Sequence, residues 1–360
     1  MRCGIVGKPL SGKSTLFSLL TGSPLPDPVQ SRREVQHGIA QLPDPRRDEL
    51  ARVSRSRKIV PATVEYLDIP GAAHTGDRTE PYPPALLGEL RAVSMLALVL
   101  RDFAAAGVPH PSGSIDPARD LLETELEFIL ADLATAEKRL ERLARMHDEA
   151  SRREADLLER CRDGLAAERP LRELAFDATD DKALRGYAFL SLKPLLVVLN
   201  LGEEGAAGAG ARLQQLQAAF PGLVRQVGWV SAAGEIEAEI AQLDPEERAP
   251  FMADLGYDLP ALDRIIRATF DLMGMITFFT TGDKDTTAWA IPSGSNAVTA
   301  AGAIHDDIAR GFIRAEVCRW DDLVAAGGSH ARLKEQAKLH LEGKDYIVKD
   351  GDVINVRFGI

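Results

Sequence analysis

The chain has 360 residues, an apolar fraction of 45% and a net charge of −11, with a pI near 5.3. That is enough for roughly two or three domains with real cores, and the acidic balance excludes generic nucleic-acid binding except through a local basic patch. No apolar run is long enough to span a bilayer, and Cys3, Cys161 and Cys318 lie too far apart for a metal-ligand spacing or a disulfide framework, as suits a reducing cytoplasm.

The first motif is Gly7-Lys8-Pro9-Leu10-Ser11-Gly12-Lys13-Ser14, which reads G-x-x-x-x-G-K-S. This is the pattern of a phosphate-cradling P-loop, and it arrives too early in the chain for a signal peptide. Arg2 to Val6 before it reads as a buried strand, and Thr15 to Leu20 after it as a helix. In that setting the loop N–H groups and the helix N-terminus converge on phosphate oxygens. Lys13 would reach the β- and γ-phosphates as the catalytic cation, and Ser14 would ligate Mg²⁺.

Ser23 to Arg33 is a loop where a nucleotide-sensing switch would lie. Pro43-Asp44-Pro45 is a turn, and Pro45 to Val53 a short helix. Ala62 to Leu67 is β-prone and ends in Asp68-Ile69-Pro70-Gly71, so Asp68 fits a strand-end carboxylate for Mg²⁺, with Gly71 beside the phosphates. Ala72 to Pro84 reads as a loop and Val93 to Leu100 as a buried parallel strand.

Leu122, Leu126, Ile129, Leu133, Ala136, Leu140 and Leu143 then recur at heptad steps. Asp120 to about Arg169 therefore reads as an antiparallel two-helix coiled coil, ahead of a parallel homodimeric one. Strands at Pro194–Leu199 and Val227–Val230, with a helix between, complete an open α/β sheet that binds ligands outside its strand carboxyl ends. From Met275 the pattern changes. Ile276–Thr280 and Thr286–Ile291 flank a hairpin turn, Ala297–Ala309 is helical and Ile313–Cys318 is β. Tyr346–Lys349 and Val353–Phe358 flank the turn Asp350-Gly351. This is a small α+β grasp domain.

The segments ITFFTTGDKDTTAWAI, AAGAIHDDIARGFIRAEV and LEGKDYIVKDGDVINVRF resemble the terminal TGS-like domain of the YchF/Ola-type branch of the Obg family of P-loop NTPases. SAAGEIEAEIAQL and IDPARDLLETELEFILADL are similar to further signatures of that family. The resemblance covers nearly the whole chain. It implies a P-loop NTPase (G) domain at 1–119 and 187–274, a helical coiled-coil insertion at 120–186 and a TGS-like domain at 275–360. It also implies a cytoplasmic, ribosome-linked role, with contact to the ribosome or ribosomal RNA. No membrane and no DNA partner are expected, and a monomer is.

Base choice is read from Asn200-Leu201-Gly202-Glu203, which stands where Asn-Lys-x-Asp would bind guanine. The lysine is missing and the acid is one methylene longer, so ATP rather than GTP is expected. Asn200 would bond the base, Leu201 would touch its face, and Ser231 and Ala232 would close the pocket. The nucleotide-binding set is thus Gly7 to Thr15, Gly71, Asn200, Leu201, Glu203, Ser231 and Ala232, with Ser14 and Asp68 on the metal. Three positions depart from the family: Leu10 replaces its P-loop Asn, Arg32 its switch Thr, and Asp77 to Pro84 its Gly-rich second switch. Two functions follow. One is a slow ATPase; the other is a degenerate nucleotide-binding scaffold that acts as an interaction module. A metabolic kinase is a distant third.

Overall fold

The computed structural model describes residues 1–25, 34–70, 84–105, 108–244, 247, 250, 252 and 260–359. The chain forms two compact units: Met1–Ile39 with Glu65–Leu272, and Ala40–Val64 with Met273–Ile360.

The first unit is built on strands β1 (Arg2–Val6), β2 (Gln36–Gln41), β4 (Thr63–Asp68), β5 (Met95–Asp102), β6 (Leu195–Leu201) and β7 (Val227–Ala232), in the order β2-β4-β1-β5-β6-β7. The pairs β4-β1, β1-β5, β5-β6 and β6-β7 are parallel. Sheets of this kind are covered on both faces, which is why β6 is apolar almost throughout and buried along its whole length. Parallel pairing also brings Val6, Asp68, Asp102, Leu201 and Ala232 to one edge, the carboxyl ends of the strands, outside which open α/β sheets bind ligands.

Helix α1 (Lys13–Thr21) follows β1. The helices α2 (Pro45–Ser54), α3 (Pro84–Ala92), α4 (Pro117–Leu143) and α5 (Glu149–Ala166) come next in the chain. Asp116 caps α4 by accepting from Arg119 N–H at 3.0 Å, and Pro117 sits in the first turn, where its missing N–H costs nothing.

The expected seam begins too early. Leu122 is 53% exposed while Leu121 is fully buried. The first half of α4 packs Leu121 and Phe128 into the sheet core beside Leu96, Leu98 and Leu195. Only from Ile129 does it pair with α5, through Ala136 and Leu143 against Leu158, Cys161 and Leu165. The helix thus serves two partners in succession, and the buried stripe shifts by one residue where the first is a sheet. Arg139 clamps the hairpin by donating to both carboxylate oxygens of Glu154, at 2.7 and 2.8 Å.

The second unit has the sheet order β11-β10-β12-β8-β9-β3, from β3 (Lys58–Val60), β8 (Met275–Thr281), β9 (Asp285–Pro292), β10 (Phe312–Arg319), β11 (His340–Glu342) and β12 (Asp352–Phe358). The β8–β9 hairpin forms as read from the sequence. Two expectations do not hold. The helical stretch breaks at His305, whose backbone is extended and whose side-chain Nδ1 caps a second short turn by accepting from Asp307 N–H at 3.1 Å. Tyr346–Lys349 is no strand; Asp350-Gly351 leads instead into β12, which pairs antiparallel with β10 and parallel with β8.

The expected domain limits also shift. Residues 40–64 join the second unit, because β3 pairs in parallel with β9 and Arg46 bonds Asp44 and Asp350, the latter at 2.6 Å. Among the described residues no helix is long and apolar enough to cross a membrane.

The two-partner packing of α4 is open to a direct check. Leu121→Ala should cost about 2–5 kcal/mol in denaturant unfolding, as a buried truncation does, and Leu122→Ala about 0.5 kcal/mol or less. The reverse ranking would restore the simple heptad seam.

Candidate functional site

The loop after β1 departs from ordinary backbone at three places: Gly7, Leu10 and Gly12 have φ of 141°, 65° and 94°. Gly7 is obligatory for space as well, since a Cβ there would lie 2.4 Å from the Val99 carbonyl oxygen. Leu10 takes a left-handed conformation that favours Gly or Asn and turns its side chain to solvent, 47% exposed.

The loop delivers Lys13 to a buried position, where its ammonium donates to the Lys8 carbonyl at 3.0 Å. Burial lowers the Lys13 pKa to about 8, against the opposing pull of Asp68. Ser14, in the first turn of α1, donates from Oγ to Asp68 Oδ2 at 2.6 Å. Pairing of β1 with β4 sets this up, because Ile5 stands opposite Asp68. Burial pushes the Asp68 carboxyl up, against the Ser14 hydrogen bond and Lys13. Asp68 Oδ1 and Ser11 Oγ are buried and have no hydrogen-bond partner among the described residues. A serine hydroxyl, a strand-end carboxylate with a free oxygen and a buried ammonium are the donor set for a magnesium nucleotide, which holds its metal by one or two protein oxygens plus phosphates.

Asn200 makes two contacts that the motif does not specify. Its Nδ2 donates to Ser11 O at 3.0 Å, and its Oδ1 accepts from Gly234 N–H at 3.3 Å. The side chain therefore ties the P-loop to the turn after β7. Leu201 is a core residue among Leu199 and Ala209, so its packing is accounted for without a base. Ser231 and Ala232 are buried at the end of β7, and the Ser231 carbonyl accepts from Arg264 at 3.0 Å. Glu203 is exposed and lines a cleft of about 650 Å³ with Phe103, Ile115, Gly202 and Arg212. Gly71, Arg32 and Asp77 to Pro83 lie outside the described residues.

Sequence reading missed the cleft's far wall. Arg101 is buried beneath it, donates to the Phe103 and Val108 carbonyls at 3.0 and 2.9 Å, and stacks 4.7 Å over the Phe103 ring. The one signal in the sequence was an arginine at the end of an apolar strand.

A parallel sheet, a glycine loop opening a helix and a paired Ser–Asp at the strand ends define a P-loop nucleoside-triphosphate-binding protein. The chain is 38% identical to the ribosome-binding ATPase YchF of Escherichia coli O157:H7, over all of this chain and 99% of that one. It is 35% identical to that of Bacillus subtilis, strain 168, over the full length of both. Residues 275–359 match the family model YchF-GTPase_C, described as a protein of unknown function (DUF933). The fold superposes on the Schizosaccharomyces pombe YchF GTPase with a TM-score of 0.86 at 24% identity, covering 99% of this chain and 97% of that one. The chain belongs to the YchF family.

The strain at Leu10 carries a prediction. Leu10→Asn should raise unfolding free energy by about 1 kcal/mol, because Asn tolerates the left-handed conformation. Gly7→Ala should destabilise by more than that, through the carbonyl clash. Thermal unfolding of both variants tests the pair, and a destabilised Leu10→Asn would contradict the backbone argument.

Proposed function

We propose that this chain is a cytoplasmic, magnesium-dependent ATPase whose nucleotide state governs its association with ribosomes. The observation that carries the reading is the buried Lys13 beside the Ser14–Asp68 pair, with Asp68 Oδ1 unpaired among the described residues. Mg²⁺ when bound supplies charge neutralisation across the phosphates. Lys13 draws the triphosphate in and holds its transferring end, Ser14 and Asp68 orient the metal, and the loop N–H groups fix the phosphates. Ribosome association is supported by the ribosome-binding ATPases that match this chain end to end.

Turnover is slow in this reading, because Leu10, Arg32 and the segment Asp77 to Pro84 depart from the family pattern. ATP is preferred, because Glu203 sits at the cleft lip and is too long for the two-point guanine contact. The same departures favour a second reading, a nucleotide-binding scaffold with little hydrolysis.

Single-turnover ATP hydrolysis with and without ribosomes separates these. The enzyme reading expects a rate above that of Lys13→Ala, rising with ribosomes; equality with the variant in both conditions leaves only the scaffold. Competition of ATP and GTP for one site should favour ATP, and tighter GTP binding would refute the role given to Glu203.

Lys13 also predicts a pH dependence. Below its pKa of about 8 the ammonium is already charged in the empty site. Above it, a proton must be taken up with the phosphate, so affinity should fall about tenfold per pH unit. Calorimetry in buffers of different ionisation enthalpy should show proton uptake at high pH that is absent at neutral pH. Equal affinity and no uptake across that range would mean Lys13 does not meet the phosphates.

A further inference from the structure

The P-loop carries a second lysine whose side chain is engaged outside the loop. The Lys8 side chain is 10% exposed and points at the start of α4. Its ammonium pairs with Glu123, lies 4.0 Å from Asp120 Oδ1 and donates to Ser112 Oγ at 3.2 Å. Asp120 is buried and fixed from two further sides. Arg119 pairs with it at 2.9 Å, and His110 Nε2 stands 2.9 Å from its other oxygen. Ser112 N–H donates to His110 Nδ1 at 3.1 Å, which puts the ring proton on Nε2, facing Asp120. The backbone of the same Lys8 does something else: its carbonyl accepts the Lys13 ammonium. One residue therefore accepts the Lys13 ammonium through its carbonyl and meets the start of α4 through its side chain.

We propose that Lys8 is a positioning residue that couples occupancy of the P-loop to the α4–α5 hairpin. The inference rests on the nucleotide-binding reading above. A loop with three left-handed or strained residues needs outside anchors, and it has one on each side: Asn200 at the Ser11 carbonyl and the α4 acids at Lys8. When the Lys13 ammonium turns to phosphate, the Lys8 carbonyl loses its donor. The balance of forces then changes at the residue tethered to Glu123. α4 is continuous from Pro117 to Leu143, so what is felt at Glu123 reaches the hairpin along one rigid element. Such a coupling is reciprocal: a partner that grips the hairpin alters nucleotide affinity by the same factor.

The test compares wild type, Glu123→Ala and Glu123→Gln, first for ATP affinity in Mg²⁺, then for amide hydrogen exchange over residues 149–166 with and without saturating ATP. Wild type should bind ATP and show slowed hairpin exchange. Both Glu123 variants should bind ATP about fivefold or more weakly and lose the hairpin response, while retaining slowed exchange in the P-loop. Should one Glu123 variant fail to fold, the other supplies the comparison. A Glu123 variant whose hairpin responds like wild type overturns the proposal, and so does a wild type that binds ATP with no hairpin response. A wild type that binds neither ATP nor GTP refutes the nucleotide reading itself, and the coupling falls with it.

Discussion

The site depends on keeping a cation and an anion out of water without letting them close on each other. Lys13 and Asp68 are both buried, yet the Lys13 ammonium rests on a carbonyl and Asp68 on a serine hydroxyl, with one carboxylate oxygen unpaired among the described residues. Burial disfavours the charged form of each: it lowers the Lys13 pKa to about 8 and raises that of Asp68. Leaving buried charge incompletely paired is among the costliest things a fold can do. A magnesium triphosphate would relieve both at once, offering an anion to the lysine and a cation to the carboxylate. Electrostatic work done in folding is then not repeated on binding, which is the meaning of preorganisation.

That arrangement is affordable only on a rigid base. β1 and β4 run side by side with Ile5 opposite Asp68, and Val99 of β5 approaches the loop so closely that only glycine fits at position 7. The same β5–β6–β7 run sets Arg101 opposite Asn200, and Asn200 opposite Ala232. The strand ends thus carry the phosphate side and the cleft side of the site in one register. α4 extends this rigidity outward, because its first half is part of the sheet core and its second half is half of a hairpin.

Much of this was legible in the chain. The G-K-S loop, the strand-end Asp68 and the continuous apolar runs at Val93–Leu100 and Pro194–Leu199 each express a local rule, and each element formed where the rule put it. What local rules do not carry is the choice among partners. Leu122 and Leu121 are equally apolar, and only the sheet beneath decides which is buried. Residues 40–64 follow the P-loop in sequence yet complete the other sheet through β3 and Arg46, a pairing across more than two hundred positions that leaves no periodicity. Asn200 read as a base contact because motif reasoning assigns a role by position; its bonds to Ser11 and Gly234, both distant in sequence, add a tie between loops that the motif does not specify, and leave a second N–H and a second lone pair on the amide. Lys8 read as one of the nucleotide-binding loop residues and nothing more, since the acids its side chain meets lie on a helix whose face no motif specifies.

The cleft wall bears on how strongly such a site can choose a base. Arg101 is fully buried and spends its guanidinium on the carbonyls of Phe103 and Val108 and on the Phe103 ring, so this wall is fixed before any ligand arrives. Glu203, on the other wall, is exposed and free to change rotamer. A fixed aromatic wall accepts any purine face, because stacking is tolerant of base identity. A mobile carboxylate at the rim must lose side-chain entropy to make one contact, and solvent competes for it. Preference for adenine would then arise mainly from the missing two-point guanine contact rather than from a dedicated adenine reader. Discrimination built on such a loss is bounded by the worth of that contact, roughly 1–3 kcal/mol for a bidentate pair. On the ATPase reading proposed above, GTP would then be disfavoured by about one to two orders of magnitude at most.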